Sequence, residues 1–267
     1  MQTSSSCCTS ALDFTFFLIL SSFCASLPAR ASNDYTALII NNVHPNSEST
    51  QTWGSGWPYY WDRNGTTIYL RGSGPYEISG TDIANARFHI EHDCEIIIKI
   101  GLQINNETVD YSPIERNGHT VTYGSTLNIT NLKSSASLTA TGKGCAAGIG
   151  GNYQEDCGTI NISGGMITAT GNSSTSGEGA AGIGGGYQGA GGTVNVYGGT
   201  VNATGDDGAG IGGGELASGG TVNIYGGTVN ATGTCYGAGI GGGGGDYGEG
   251  GTVTVSGGTV IATGDRE

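Results

Sequence analysis

Basic residues all but vanish from the second half of this 267-residue chain. After Lys143 the only one is Arg266, set against ten Asp and Glu, and the whole chain carries a formal net charge of −13. Nucleic-acid recognition needs a positive face. A DNA or RNA partner is therefore excluded, and docking on an anionic membrane surface is excluded for the same reason. Neutral polysaccharide, protein and divalent cations remain as partners. Proline is scarce, at 5 residues, and there is no Gly-X-Y period, so a collagen triple helix is ruled out. Beyond the N-terminus no long apolar run occurs, and no transmembrane helix is expected there.

The one strongly apolar run, FTFFLIL from Phe14 to Leu20, reads as the core of a secretory signal peptide. Ala29-Arg30-Ala31 then offers a small-x-small cleavage site, which makes residues 1–31 the leader and Ser32 the mature N-terminus. Cys7, Cys8 and Cys24 leave with it. Of the cysteines that stay, Cys145 and Cys157 are the preferred disulfide pair of a secreted chain, clipping the loop around Ile149; buried thiols are the alternative. Their spacing does not suit structural zinc, and no metal or other cofactor is expected.

Glycine is abundant, and only 8 of the 53 precede residue 121. Beyond that point they are interleaved with Val, Ile, Thr and Tyr, which favour strands over disorder. Four blocks align: GTINISGGMITATG from Gly158, GTVNVYGGTVNATG from Gly192, GTVNIYGGTVNATG from Gly220 and GTVTVSGGTVIATG from Gly251. Their starts are 34, 28 and 31 residues apart, and a degenerate copy begins at Ser125. Segments of the type GAGIGGG follow the ATG of all but the last.

Within a block apolar residues alternate, with Val194 and Val196 on one face and Thr193, Asn195 and Tyr197 on the other. Period two means strands. Pairing the two strands of one block would give a stack of hairpins. Pairing each strand with its copy in the next block gives parallel coils, and a repeat of about 30 residues holds three short strands and their turns. The second arrangement also explains GAGIGGG, as a third side with one inward Ile and glycines that allow tight corners. The expected fold is thus all-β, a right-handed parallel β-helix with an N-terminal β cap. Residues 121–267 form the repeats, and residues 32–120 form the cap and first strands. Coils about 4.8 Å apart place Ile160, Val194, Val222 and Val253 in one inner column and Asn128, Asn161, Asn195 and Asn223 in an outer ladder. The chain stops at ATGDRE with no polar cap in view, so a longer chain, a partner or end-to-end self-association is expected to cover that end.

GSGWPYYWDRNGTTIYLRGSGPYEISG (Gly54 to Gly80), followed by LTATGKGCAAGIGG and tandem GGTVNATG…GAGIGGG, resembles the glycine-rich repeat regions of large bacterial cell-surface, adhesin-like proteins. The likeness covers most of residues 53–267. It implies a secreted or cell-surface right-handed β-helix, often accompanied in such proteins by carbohydrate-binding or cell-wall modules. This chain is shorter, lacks a wall-sorting signal, and is condensed over residues 95–120 relative to that pattern.

WGSGWPYYW gathers every tryptophan of the chain into nine residues. Trp53, Trp57, Tyr60 and Trp61 are candidates for stacking on sugar rings, although the preferred reading is that Trp57 and Trp61 plug the end of the coil stack. Tyr197 and Tyr225, beside Asn195 and Asn223, form an aromatic-amide strip that reads first as a solvated ladder and, as the alternative, as a site for a glycan lying along the axis. The Thr-x-(Asn/Ile)-x-Thr segments at Thr200, Thr228 and Thr259 resemble the threonine arrays of ice-binding proteins, interrupted by Met166 and Ile261. HIEHDC (His89 to Cys94) has metal-ligand residue types, but His89 and His92 would lie on opposite faces of a strand, so it reads as a polar turn. Loop acids such as Asp246 and Glu249 in GGGGDYGEGG lack the nine-residue period of calcium-binding β-rolls.

Catalysis is not expected. Sugar-cleaving β-helices need carboxylates held at a fixed separation, whereas these outer faces carry Thr, Asn and Tyr, and the acids fall in glycine loops that hold geometry poorly. Seven N-x-S/T sequons occur, at Asn64, Asn106, Asn128, Asn161, Asn172, Asn202 and Asn230, most of them by-products of the repeated asparagines. The composite expectation is a secreted or surface-bound structural or adhesive solenoid. A polysaccharide-binding module and an ice-binding protein are the alternatives.

Overall fold

The computed structural model describes residues 136–265 without a break and, before them, eight strands between Ile39 and Asn131. Residues 1–31, expected to be a leader, and Trp53 and Trp57 lie outside the described residues. Among the described residues all regular structure is β-strand.

The strands form a parallel β-solenoid with three walls. The first wall stacks Thr126–Asn131, Thr159–Ile162, Thr193–Val196, Thr221–Ile224 and Thr252–Val255. The second stacks Ser137–Thr141, Met166–Thr170, Thr200–Asp206, Thr228–Thr234 and Thr259–Gly264. The third holds the two-residue strands Ile149–Gly150, Ile183–Gly184, Ile211–Gly212 and Ile240–Gly241. Every neighbouring pair in these stacks is parallel, and most positions pair like with like, as in Val194 with Val222, Ala203 with Ala231 and Ile183 with Ile211. Uneven loops do not disturb this register, because they leave the coil at its corners.

Parallel pairing runs back before residue 121. Cys94–Asn105 is one long strand that serves two walls: its first half pairs with Thr126–Asn131 and its second with Ser137–Thr141. Tyr76–Ala84 lies parallel to it, with two register shifts. Apart from an isolated bridge between Ala180 and Asp206, antiparallel pairing among the described residues occurs at the N-terminal side. There Tyr59–Trp61 runs against Thr67–Leu70, and Ile39–Ile40 against Tyr76–Ala84.

Alternation decides what is inside. In Thr193–Val196 and Thr221–Ile224 the aliphatic residues are buried and the Thr and Asn are half-exposed. Ile149, Ile183 and Ile211 are each fully buried and stack in one column that also takes in Ile114. Burying such a side chain is worth about 1.5–3 kcal/mol, and one coil alone has nothing to bury it against. The glycine after each isoleucine has a backbone that few other residues adopt, with φ +149° at Gly184, and a Cβ there would run into the carbonyl oxygen of Gly212 on the next coil. Glycine is therefore what lets the third wall stack.

Candidate functional site

The first wall turns three polar columns outward. Thr126, Thr159, Thr193, Thr221 and Thr252 make one. In the second, Asn161 donates from Nδ2 to Asn128 Oδ1 at 2.7 Å, Asn195 to Asn161 at 2.8 Å, and Asn223 to Asn195 at 2.9 Å. Thr254 follows Asn223 in register. The third column sits at the corner, where Ser163, Tyr197, Tyr225 and Ser256 each donate a backbone N–H to the preceding coil. The rings of Tyr197 and Tyr225 stack with centroids 5.0 Å apart and planes 8° from parallel. Both are about half exposed.

Asn195, Tyr197, Asn223 and Tyr225, picked out from sequence, thus meet on one strip of one wall. Tyr60 and Trp61 do not join them: their strand is at the N-terminal edge of the third wall. Trp53 and Trp57 fall outside the described residues. The second wall carries the threonine array in register, with Asn230 donating to Asn202 at 2.9 Å, while Met166 and Ile261 stand out from it 47% and 57% exposed. Val253 and Val255 continue the inner columns of Val222 and Ile224 but are exposed on the last described coil.

The expected Cys145–Cys157 disulfide is not formed. The two side chains face different surroundings. The Cys145 thiol points to the next coil and donates to Glu178 Oε2 at 3.6 Å, while Cys157 is wholly buried in the apolar core. The alternative of buried thiols describes them.

Two groupings escaped the sequence reading. Tyr153 and Tyr187 stack at 5.6 Å, and the neighbouring Gln154 donates to Gln188 at 2.9 Å. The signal for them was a repeated Tyr-Gln, 34 residues apart, just after each Ile-Gly-Gly. Tyr187 titrates above the ordinary phenol range because of burial, followed by the charges of Glu215 and Glu178.

The second grouping joins the ends of adjacent second-wall strands, where Asp206 pairs with Thr234. Potential ligand atoms of Asp206, Asp207 and Cys235 lie within 4.8 Å of one another, the one such cluster among the described residues. Burial alone would raise the Asp206 pKa. Hydrogen bonds outweigh it and hold the carboxyl below its usual range: Ser173 donates at 2.6 Å to one oxygen and Thr234 at 3.0 Å to the other. Asp207 is pushed the other way, to about 6, by burial and then by Asp206 and Glu215. The Asp207 charge, followed by burial, keeps the Cys235 thiol above its usual pKa and so a poor thiolate.

A family model described as a β-helix repeat matches residues 134–153, 160–187, 194–215 and 222–244. The last three segments each run through one strand of every wall, and the first takes in only the second-wall strand Ser137–Thr141 and the third-wall strand Ile149–Gly150. The fold is that of a parallel β-helix, and about a third of the chain is similar to β-helix repeats. No curated protein and no solved structure matches it.

Proposed function

We propose that the chain is a secreted or cell-surface structural and adhesive β-solenoid that works without catalysis. The observation that carries this is the bonded, uncharged first wall. Its asparagines are committed to one another from coil to coil, which produces a stiff surface with the same polar groups repeated along its length. Such a face suits many weak contacts in parallel, where avidity grows without strong single sites. The likeness of the GGTVNATG…GAGIGGG repeats to surface adhesins supports the same place and role. Of the acids, Asp206 has both carboxylate oxygens engaged by neighbouring hydroxyls, as in a structural bridge.

The test expresses the full chain, leader included, in a secretory host. Beads carrying the secreted product are then presented to polysaccharide-coated and protein-coated surfaces, with reducing-end release followed in parallel. Mature protein starting at Ser32, bead attachment and no released sugar is the expected result. Retention inside the cell, or sugar release that depends on Asp206 or Asp207, would refute the proposal.

The threonine array on the second wall favours a second role, ice binding, though Met166 and Ile261 break the regularity a lattice needs. Thermal hysteresis at micromolar protein would support it; unaltered ice growth would dismiss it.

A further inference from the structure

A sugar ring stacks its C–H face on an aromatic face, while its hydroxyls seek amide and hydroxyl partners beside that ring. The first wall offers both. Tyr197 and Tyr225 each give one ring face to the other. A glycan cannot enter between them, so a continuous aromatic platform is not what the strip provides. The remaining faces are different. In the corner column Tyr197 is preceded by Ser163 and Tyr225 is followed by Ser256. Serine ends at Oγ, so a slot one coil step high, about 4.8 Å, opens against the outer face of each tyrosine. That height matches the spacing at which rings stack on each other.

The sides of the slots are polar and uncharged. Beside Ser256 stand Thr254 and Asn223, both on the outward face two residues before the corner in their strands. Asn223 is the last amide of the ladder, since Thr254 takes the next place, so its Oδ1 has no further ladder amide to accept from. Asn161 holds the same position beside Ser163. We infer that the outer faces of Tyr197 and Tyr225, with the slots at Ser163 and Ser256, form a binding site for a neutral polysaccharide lying along the solenoid axis. This rests on the surface-module reading above and gives it a ligand.

Charge selects the class. From Asn128 to Thr254 the strip carries no carboxylate to hold a cationic glycan, Glu95 standing one coil beyond Asn128, and a chain of net charge −13, with one basic residue after Lys143, repels a polyanionic one. The other stacked pair, Tyr153 and Tyr187, supplies an internal contrast. Glu215 and Glu178 act on Tyr187, so that pair lies in an acidic field and lacks the neutral surround.

Calorimetric titration of the full chain with cellohexaose, mannohexaose and N-acetylated chitohexaose tests the site. At least one of these should bind. Tyr197→Ala and Tyr225→Ala should each weaken it about 10-fold or more, and Tyr153→Ala should leave it within about 2-fold. The decisive variant is Ser163→Tyr with Ser256→Tyr. It extends the stack into both slots on exposed positions, so the protein should melt as the parent does and bind no sugar. The inference is overturned if the folded parent binds none of the three, or if the filled-slot variant binds as well as the parent. Shortening of the oligosaccharide during titration would instead defeat the non-catalytic reading and leave the binding site standing.

Discussion

Asn195 donates its side-chain amide to Asn161 at 2.8 Å and accepts one from Asn223 at 2.9 Å, so one residue joins three coils. Truncating it removes two hydrogen bonds at once and leaves the acceptor of Asn161 and a donor of Asn223 facing solvent. A typical net bond is worth about 1 kcal/mol. At this half-exposed position Asn195→Ala should cost about 1–2 kcal/mol in total. Denaturant titration measures it. A double-mutant cycle with Asn223→Ala should show a coupling of about 0.5 kcal/mol or more. Strict additivity would mean that the ladder is ornamental.

The glycines sort into two kinds. Gly184 has φ +149°, and a Cβ there would collide with backbone of the next coil; Gly164, at the corner before Met166, has nothing within 4 Å of the same atom and no positive φ. Gly184→Ala should therefore separate coils on the third wall and cost more than about 3 kcal/mol, as other severe steric clashes do. Gly164→Ala should be neutral or stabilising by about 0.4–1 kcal/mol, because it only restricts the unfolded chain. Comparable losses from both would show that glycine density, rather than the stacking contact, is what the fold requires.

Much of this was legible because the repeat is its own alignment. Once Val194, Val222 and Val253 were placed at one position, period two fixed which face was inside, and like-over-like pairing followed. Cys94–Asn105 was harder, since no copy of it exists to align, and the only mark of its change from one wall to the next is Gly101, between the half that ends at Ile98 and the half that begins at Leu102. The Asp206–Asp207–Cys235 grouping was invisible for another reason. Asp206 ends its strand and pairs with Thr234, so the repeat does set Asp207 over Cys235, but Asp-Asp against Thr-Cys is no repeated pattern and nothing in it says that the side chains converge. The disulfide expectation failed on direction: spacing in sequence brings Cys145 and Cys157 near, but one side chain turns to the next coil and the other to the core.

That difference in surroundings makes the two cysteines unequal to substitution. Cys157→Ser would place a hydroxyl in an apolar interior and should cost about 1–3 kcal/mol. Cys145→Ser keeps a donor within reach of Glu178 and should cost less than about 1 kcal/mol. Reductant should leave the melting temperature unchanged, and non-reducing peptide maps should recover the two cysteines on separate peptides. A linked Cys145–Cys157 peptide would show that the loop closes in a way this structure does not have.

Asp207 offers the sharpest test by pH. Its folded-state pKa, about 6, stands above the 3.8 of an ordinary aspartate. A raised acid pKa means the folded protein holds the proton more tightly than the unfolded chain, so the favourable contribution is complete below about 3.8 and is lost as pH rises through about 6. At neutral pH the ionised carboxylate sits partly buried against Asp206 and Glu215 and opposes folding. Asp207→Asn removes that charge. Its melting temperature should exceed the parent's at pH 7.5, and the advantage should shrink to nothing by pH 4. Asp206 runs the other way, because hydrogen bonds from Ser173 and Thr234 favour its ionised form. Ser173→Ala should therefore destabilise at pH 7.5 and progressively less as pH falls below the ordinary carboxylate range. Melting curves of both variants from pH 3 to 8 decide the matter. A gain for Asp207→Asn that stays constant with pH would show that the amide fits better for reasons of packing, and that burial and the acidic neighbours do not raise this carboxyl.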